Sequence, residues 1–166
     1  MIKVFLCIIV TFLCSYMGVV VCKRYKSREV LFFDFVTFCN NYEANLEFFQ
    51  KDLNSFVVEF SRGSSKEFSD IMLKKGFGEC YERNSKFEFV LKNIIPLITD
   101  EQSRYINDFL NVLGKSDVIS QKTQLSTYKY YFLKQLEEAK STYEKTGKMY
   151  SKLGMLTGVF LSILMV

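Results

Sequence analysis

The sequence predicts an all-α protein, a helical bundle flanked by an N-terminal and a C-terminal membrane helix. Residues 4–22 and residues 153–166 carry no charged side chain, whereas 21 of the 22 basic residues and all 18 acidic residues lie between them. One proline and eight glycines in 166 residues are too few for the turns of a many-stranded β fold. Apolar residues of the central region recur every three or four positions, which is the period of an amphipathic helix.

The first apolar run predicts an uncleaved transmembrane helix within residues 1–22. Nineteen residues span roughly 28 Å as a helix, close to the ~30 Å hydrocarbon thickness of a bilayer. The run is longer than the apolar core of a cleaved signal peptide, and the following VVVCKRYKSR offers no small-x-small cleavage site. A cleaved signal peptide is therefore the less favoured alternative.

The charges around this run predict its orientation. Lys23, Arg24, Lys26 and Arg28 follow the run, whereas only Lys3 precedes it. Basic residues stay on the cytoplasmic side of a membrane helix, so we expect the domain of residues 23–152 in the cytoplasm. We interpret the basic cluster as a topology signal and interfacial anchor rather than as a recognition patch.

The C-terminal apolar run, residues 153–166, predicts a second membrane helix. Fourteen residues reach only about 21 Å as a helix, a length that alone would fit a buried core helix. Three lysines before it and an interfacial tyrosine, Tyr150, favour a membrane boundary instead. Whether the helix crosses the bilayer fully is left open. Gly154 and Gly158 form a Gly-x-x-x-Gly pair, a candidate for membrane helix packing.

The central region predicts a series of helices. The sequence indicates a helical stretch over residues 29–60 with a break near Gln50–Asp52, a helix capped by Ser64 or Ser65 and running to about Lys75, a helix from Lys86 to about Leu97, a helix capped by Asp100 and stopping at Gly114, and a long helix from Ser116 to Lys152. The last helix carries a near-heptad seam that includes Val118 and two expected i,i+4 ion pairs, Lys134–Glu138 and Glu144–Lys148. The frequent phenylalanines are interpreted as core packing.

No catalytic, cofactor or metal site is predicted. The chain contains no histidine, which removes the commonest general base and metal ligand. Its five cysteines include no Cys-x-x-Cys pair, so they indicate reduced thiols rather than a zinc site. LGKSD at 113–117 ends like a phosphate-binding loop, but Phe109 stands where the pattern needs a glycine. We predict a protein that is not an enzyme and binds no small-molecule substrate; the balanced charge of the central region also argues against nucleic acid.

The turn between the last two predicted helices is the candidate site for partner contacts. The candidate residues are Gly114, Lys115, Ser116, Asp117 and Gln121. A second interpretation assigns them to local structure, with Gly114 ending one helix, Asp117 capping the next and Gln121 bonding nearby. Composition and spacing leave both interpretations open.

Two ordered elements carry a resemblance to a known family. LGKSDVISQKTQL, followed by a polar helix and then KMYSKLGMLTGVFLSILMV, resembles stage III sporulation protein AB of endospore-forming bacteria. That family pairs a Leu-Gly-x-x-Asp-x-x-x-Gln element with a tail in which Lys-Met-Tyr precedes Leu-Gly-x-Leu-x-Gly. The matching residues are Leu113, Gly114, Asp117, Ser120, Gln121, Lys148, Met149, Tyr150, Leu153, Gly154, Leu156 and Gly158. Upstream, Glu43 and Leu53 fit the family, whereas Asn45 and Asp52 stand where an acid and a proline are expected.

The resemblance implies a scaffold role in sporulation. It implies a cytoplasmic domain similar to the F-type platform proteins of type II secretion and type IV pilus systems, in a channel complex joining mother cell and forespore. The implied partners are a secretion-type ATPase and the other membrane subunits of that complex. The implied location is the outer forespore membrane, with the domain facing the mother-cell cytoplasm. A platform-like subunit of a general secretion or pilus system is the alternative, and a membrane-bound hydrolase is less favoured.

Overall fold

The computed structural model describes residues 2–49, 51–74, 77, 81, 86, 88 and 91–165, with the backbone alone for residues 2–7, 74, 93, 164 and 165. Every regular element in these ranges is helical, which confirms the predicted all-α class. The elements are α1 (Ile2–Ala44) with a π-helical end (Asn45–Phe49), α2 (Leu53–Gly63), α3 (Lys66–Ser69) with a π-helical end (Asp70–Lys74), a 3₁₀ turn (Leu91–Asn93), α4 (Asp100–Val112), α5 (Val118–Thr142), a π-helical segment (Tyr143–Gly147) and α6 (Lys148–Met165).

The chain forms two compact units. The terminal unit comprises Met1–Glu29 and Glu138–Val166, and the central unit comprises Val30–Glu137. The 43-residue helix α1 contributes residues to both units, and so does α5. Each unit is described separately below.

The central unit is built around phenylalanine. Phe35, Phe38, Phe68, Phe109 and Phe132 come from four different helices and are each at most 2% exposed. The ring centroids of Phe35 and Phe132 lie 4.9 Å apart, and those of Phe35 and Phe68 lie 5.0 Å apart. Aromatic pairs at such distances contribute about 0.5–1.5 kcal/mol beyond the area they bury. The aromatic stripe is therefore core, as its helical spacing predicts.

The predicted break after α1 is present, and polar side chains build it. Asp52 caps α2 by accepting hydrogen bonds from the amides of Asn54 (3.1 Å) and Ser55 (3.4 Å). Asn45, 2% exposed, binds the backbone of Lys51 through both ends of its side-chain amide. The two positions that depart from the family pattern thus close and cap the turn. The first residue of the predicted break, Gln50, lies outside the described residues.

Helix boundaries elsewhere follow the capping chemistry with three corrections. Ser65 caps α3, as expected. The predicted helix from Lys86 to Leu97 is wrong for its described part, which holds only the 3₁₀ turn and irregular backbone before Pro96. Thr99, rather than Asp100, caps α4 through a capping box with Gln102. Helix α5 begins at Val118, two residues later than predicted.

Neither predicted i,i+4 ion pair forms. Glu138 binds Arg28 instead of Lys134, with 3.0 Å between Oε1 and Nη2. The Lys148 ammonium lies 5.6 Å from the ring centroid of Tyr143 rather than beside Glu144. Glu138 thus pairs across to α1, whereas Lys148 lies near a ring of its own helical stretch.

Candidate partner-binding end and terminal helix pair

Gly114 allows the sharp turn between α4 and α5. Its φ is +76°, a left-handed conformation that favours glycine. A Cβ at this position would lie 2.5 Å from Cδ2 of Leu53 and 2.8 Å from Cε2 of Tyr81. The Tyr81 hydroxyl donates to the Gly114 carbonyl at 3.4 Å. Both the backbone conformation and the lack of space therefore require glycine here.

Three further candidate residues hold the same turn together. Gln121 is 3% exposed, and its amide, oriented by its hydrogen bonds, accepts from the Gly114 N–H and donates to the Ser116 carbonyl at 3.3 Å. The Ser116 hydroxyl donates to Oε1 of Gln124 at 3.3 Å. Asp117 accepts from the Ser120 N–H at 3.1 Å, and the hydrogen bonds from Ser120 lower the pKa of that carboxyl. These contacts are internal to the turn.

The exposed side chains at this turn are the ones available to a partner. Lys115 and Asp117 are exposed, and the next two residues, Val118 and Ile119, are apolar and 50% and 79% exposed. Placing Val118 in the helix seam was therefore wrong. The predicted seam does not include Ile119. An apolar residue away from the seam of a polar helix is a sequence signal that could have predicted this surface.

The end of α1 adds two phenylalanines to this surface. Nζ of Lys122 lies 2.7 Å from Oε1 of Glu47, so the π-helical end of α1 lies beside the start of α5. Phe48 and Phe49 follow directly and are 76% and 68% exposed. We call Phe48, Phe49, Val118 and Ile119 the apolar end surface. Large apolar side chains exposed near one end of a unit are candidates for an interaction site.

A cleft opens beside Phe49. It has a volume of about 380 Å³ and is lined by residues that include Asn45, Phe49, Phe56 and Phe60. Its walls are mainly apolar, so it suits an inserted apolar side chain better than a charged ligand. Among the residues that the structure describes, no three His, Cys, Asp or Glu side chains come together as a metal site.

In the terminal unit, the two candidate packing glycines lie where the backbones of α6 and α1 approach each other closely. A Cβ on Gly154 would lie 2.8 Å from the Cys14 carbonyl oxygen and 3.0 Å from Cα of Gly18. A Cβ on Gly158 would lie 3.0 Å from Cα of Thr11. The pairing of later α6 residues with earlier α1 residues shows that the helices are antiparallel. Gly18, which sequence reasoning missed, forms the α1 side of this contact.

Hydroxyl groups extend the contact toward the chain ends. The Thr11 and Ser162 hydroxyls lie 2.6 Å apart, and the Thr11 hydroxyl also donates to the Gly158 carbonyl at 3.3 Å. Small residues with hydroxyls between closely packed backbones are typical of membrane helix pairs. The spacing of Gly154, Gly158 and Ser162 was the signal that could have included Ser162.

One described helix is long and apolar enough to cross a membrane. It covers Ile8–Phe49, with a mean hydropathy of 1.5 in its most apolar window, and only 6% of that window is buried within the protein. A core helix of this hydropathy would be mostly buried. The C-terminal apolar run has fourteen residues between Lys152 and the end of the sequence, fewer than the ~20 that usually span a bilayer.

Comparison with known protein families gives a match over nearly the whole chain. The family model described as stage III sporulation protein AB matches residues 3–166, nearly the whole chain. No curated protein and no solved structure matches the chain. The match covers both the turn at Gly114–Gln121 and the glycine-containing tail, the two elements on which the resemblance depends. The chain therefore belongs to the stage III sporulation protein AB family, which makes it a sporulation-related protein.

Proposed function

We propose that this protein is a non-enzymatic, membrane-anchored scaffold subunit of the channel complex between mother cell and forespore, and that it is required for spore formation. Family membership supports the sporulation role. The lack of histidine in the chain and of a metal-ligand cluster in its described residues is compatible with a role in assembly. The apolar end surface is the observation that carries the proposal, because it gives the central unit a surface suited to a protein partner.

The partner assigned to this surface is the secretion-type ATPase of the same complex, with the other membrane subunits beside it. The turn at Gly114–Gln121 presents Lys115 and Asp117 at the rim of the apolar end surface. An apolar centre with a charged rim is the usual anatomy of a protein interface. The similarity of the central unit to F-type platform domains is implied by the resemblance and belongs to this proposal.

The membrane arrangement is the second part of the proposal. Residues 1–22 and residues 153–166 form two membrane helices that pack through Gly18, Gly154 and Gly158, and the domain of residues 23–152 faces the mother-cell cytoplasm from the outer forespore membrane. A short second helix is tolerated because its small residues Gly154, Gly158 and Ser162 pack against α1, and because the snorkelling side chain of Lys152 adds effective length.

Co-purification tests the scaffold proposal. The tagged full chain is co-expressed with the ATPase of the same complex, and the recovered ATPase is measured for Ile119→Lys. We expect recovery to fall about tenfold, because a buried unpaired charge opposes an apolar interface. Tyr130→Lys is the matched control, because Tyr130 is 74% exposed on the same helix and lies outside the apolar end surface. Equal recovery for wild type and Ile119→Lys would remove the ATPase from this surface.

Spore counts and membrane fractionation test the proposed role in spore formation and the proposed membrane attachment. Cells carrying Ile119→Lys as the only copy should form fewer spores than cells carrying Tyr130→Lys. Both variants should remain in the membrane fraction, since the change lies in the central unit. Normal sporulation with a lost ATPase contact would separate the scaffold role from this partner.

A further inference from the structure

The net positive charge of the protein is concentrated in the terminal unit. Residues 23–29 and 140–152 together hold eight basic and two acidic residues, a net charge of +6, whereas the whole chain carries +4. The rest of the chain is therefore slightly acidic. Basic residues in one segment would be enough to orient a membrane helix, but here two segments carry them.

The structure places these two segments side by side within the terminal unit. The rings of Tyr25 and Tyr150 stack with centroids 6.3 Å apart, and Nη2 of Arg28 binds Glu138 at 3.0 Å. The two segments carry seven exposed basic side chains, which we call the basic collar: Lys23, Arg24, Lys26, Lys140, Lys145, Lys148 and Lys152.

Carboxylates of the described residues neutralise few of the positive charges of the basic collar. Lys26 is the one collar residue that forms an ion pair with a carboxylate of the described part of the chain, Glu29 at 2.9 Å. Nζ of Lys26 and Nζ of Lys148 lie 5.0 Å and 5.6 Å from the ring centroid of Tyr143. Two ammonium groups from different segments thus gather at one aromatic ring, an amphipathic side chain suited to the headgroup region of a membrane.

We infer that the basic collar binds anionic phospholipid headgroups of the leaflet into which the helix pair inserts. The inference rests on the proposed membrane helix pair, which places the collar beside the headgroups. Each basic side chain near an anionic surface adds attraction, and these side chains come from two segments around a tyrosine cluster. The ligand is a lipid phosphate, so the collar recognises lipid composition in addition to orienting the protein.

Native mass spectrometry of the full chain tests this inference. The protein is stripped of lipid in mild detergent and mixed with equal amounts of phosphatidylglycerol and phosphatidylcholine that have the same acyl chains. We expect about tenfold more phosphatidylglycerol than phosphatidylcholine to remain bound. In the variant Lys145→Gln/Lys148→Gln/Lys152→Gln the ratio should fall below about two. The expectation follows from the contribution of each basic residue near an anionic surface.

The matched control removes the same charge from the central unit. Lys66→Gln/Lys86→Gln/Lys134→Gln replaces three exposed lysines and should keep the preference of the wild type. Loss of the preference in this control would show a general charge effect and overturn the inference, as would equal retention of both lipids by the wild type. Displacement of phosphatidylglycerol by 20 mM inorganic phosphate would assign the collar to a free anion.

A separate measurement keeps the two proposals apart. A cysteine at Leu161 in the full chain in membranes, with the native cysteines replaced by alanine, reports whether an impermeant maleimide reaches α6. Protection of this cysteine together with no lipid preference would overturn the lipid inference and leave the helix pair standing. Labelling of this cysteine would overturn the helix pair on which the inference rests.

Discussion

The side-chain amide of Asn45 holds both backbone groups of Lys51. Nδ2 of Asn45 donates to the Lys51 carbonyl at 3.1 Å, and Oδ1 accepts from the Lys51 N–H at 3.3 Å. This pair of bonds closes the connection between α1 and α2 around a side chain that is 2% exposed. Removing it leaves the part-buried N–H and carbonyl of Lys51 without these partners, and an unmade hydrogen bond of a part-buried group lowers stability.

Asn45→Ala should therefore lower the free energy of unfolding by about 1–3 kcal/mol. Urea unfolding of the full chain in mild detergent, followed by circular dichroism, measures this change. Asn45→Asp keeps the acceptor but sets a buried carboxylate oxygen against the Lys51 carbonyl, so its loss should be at least as large as that of alanine. Asn40→Ala is the control, because Asn40 is exposed on α1 and alanine favours the helix. An unchanged free energy of unfolding in Asn45→Ala would show that the turn does not depend on this amide.

Gly114 and Gly63 should respond oppositely to the same substitution. Gly114→Ala places a Cβ in the left-handed region against Leu53 and Tyr81, so we expect a loss of more than about 1 kcal/mol. Gly63 lies in α2 and has open space where a Cβ would point, so Gly63→Ala should be neutral or stabilising by up to about 1 kcal/mol. Urea midpoints of the two variants give the comparison. Equal effects would contradict the role of the turn.

The buried thiol of Cys39 predicts alkaline destabilisation. Burial raises the pKa of Cys39 from 9.0 to about 12 and that of Tyr42 from 10.0 to about 12. Because the unfolded thiol loses its proton above pH 9 while the folded thiol keeps it, the stabilisation is complete below pH 9 and is lost as pH rises toward 12. The slope approaches about 1.4 kcal/mol per pH unit for one group.

Cys39→Ala isolates that contribution. The variant should be less stable than wild type at pH 8, since it removes a buried side chain, but its stability should fall less between pH 9 and pH 10. Tyr42 begins to contribute above pH 10, so the lower window reports mainly on Cys39. Parallel curves for wild type and variant across this window would show that the thiol ionises equally in both states.

The features that could be predicted from the sequence are those carried by neighbours along the chain. The end of a helix at Gly114, the cap at Ser65 and the break before Asp52 each depend on chemistry within a few residues. Apolar periodicity likewise predicted the phenylalanine core, because a helix face is read directly from spacing.

The features that could not be predicted join residues distant in the sequence. The buried amides of Gln102 and Gln135 bind each other from α4 and α5, and nothing in either segment names the other as partner. The same holds for Arg28 with Glu138, which replaced the expected Lys134 pair. In the candidate site, Gly114, Asp117 and Gln121 were found by motif, whereas Phe48 was found only from its exposure at a neighbouring helix end. The position of Ile119 off the predicted seam was a sequence signal that the motif did not include.

Gly154→Leu tests the terminal helix pair. Its side chain would overlap the Cys14 carbonyl and Cα of Gly18, so α6 must move away from α1. The hydroxyls of Thr11 and Ser162, 2.6 Å apart, supply a reporter, because Thr11→Cys/Ser162→Cys should form a disulfide on oxidation in a background whose native cysteines are alanine. We expect cross-linking to fall at least fivefold when Gly154→Leu is added.

The central unit should be unaffected by this change. Its unfolding by urea, followed through the aromatic signal of the phenylalanine and tyrosine core, should match that of the parent, because Gly154 belongs to the terminal unit. Met155→Leu is the control, since Met155 is 63% exposed on the same helix and points away from the glycine contact. Undiminished cross-linking in Gly154→Leu would mean that close backbone approach does not hold α6 to α1. In that case we would also expect this variant to assemble normally with the complex.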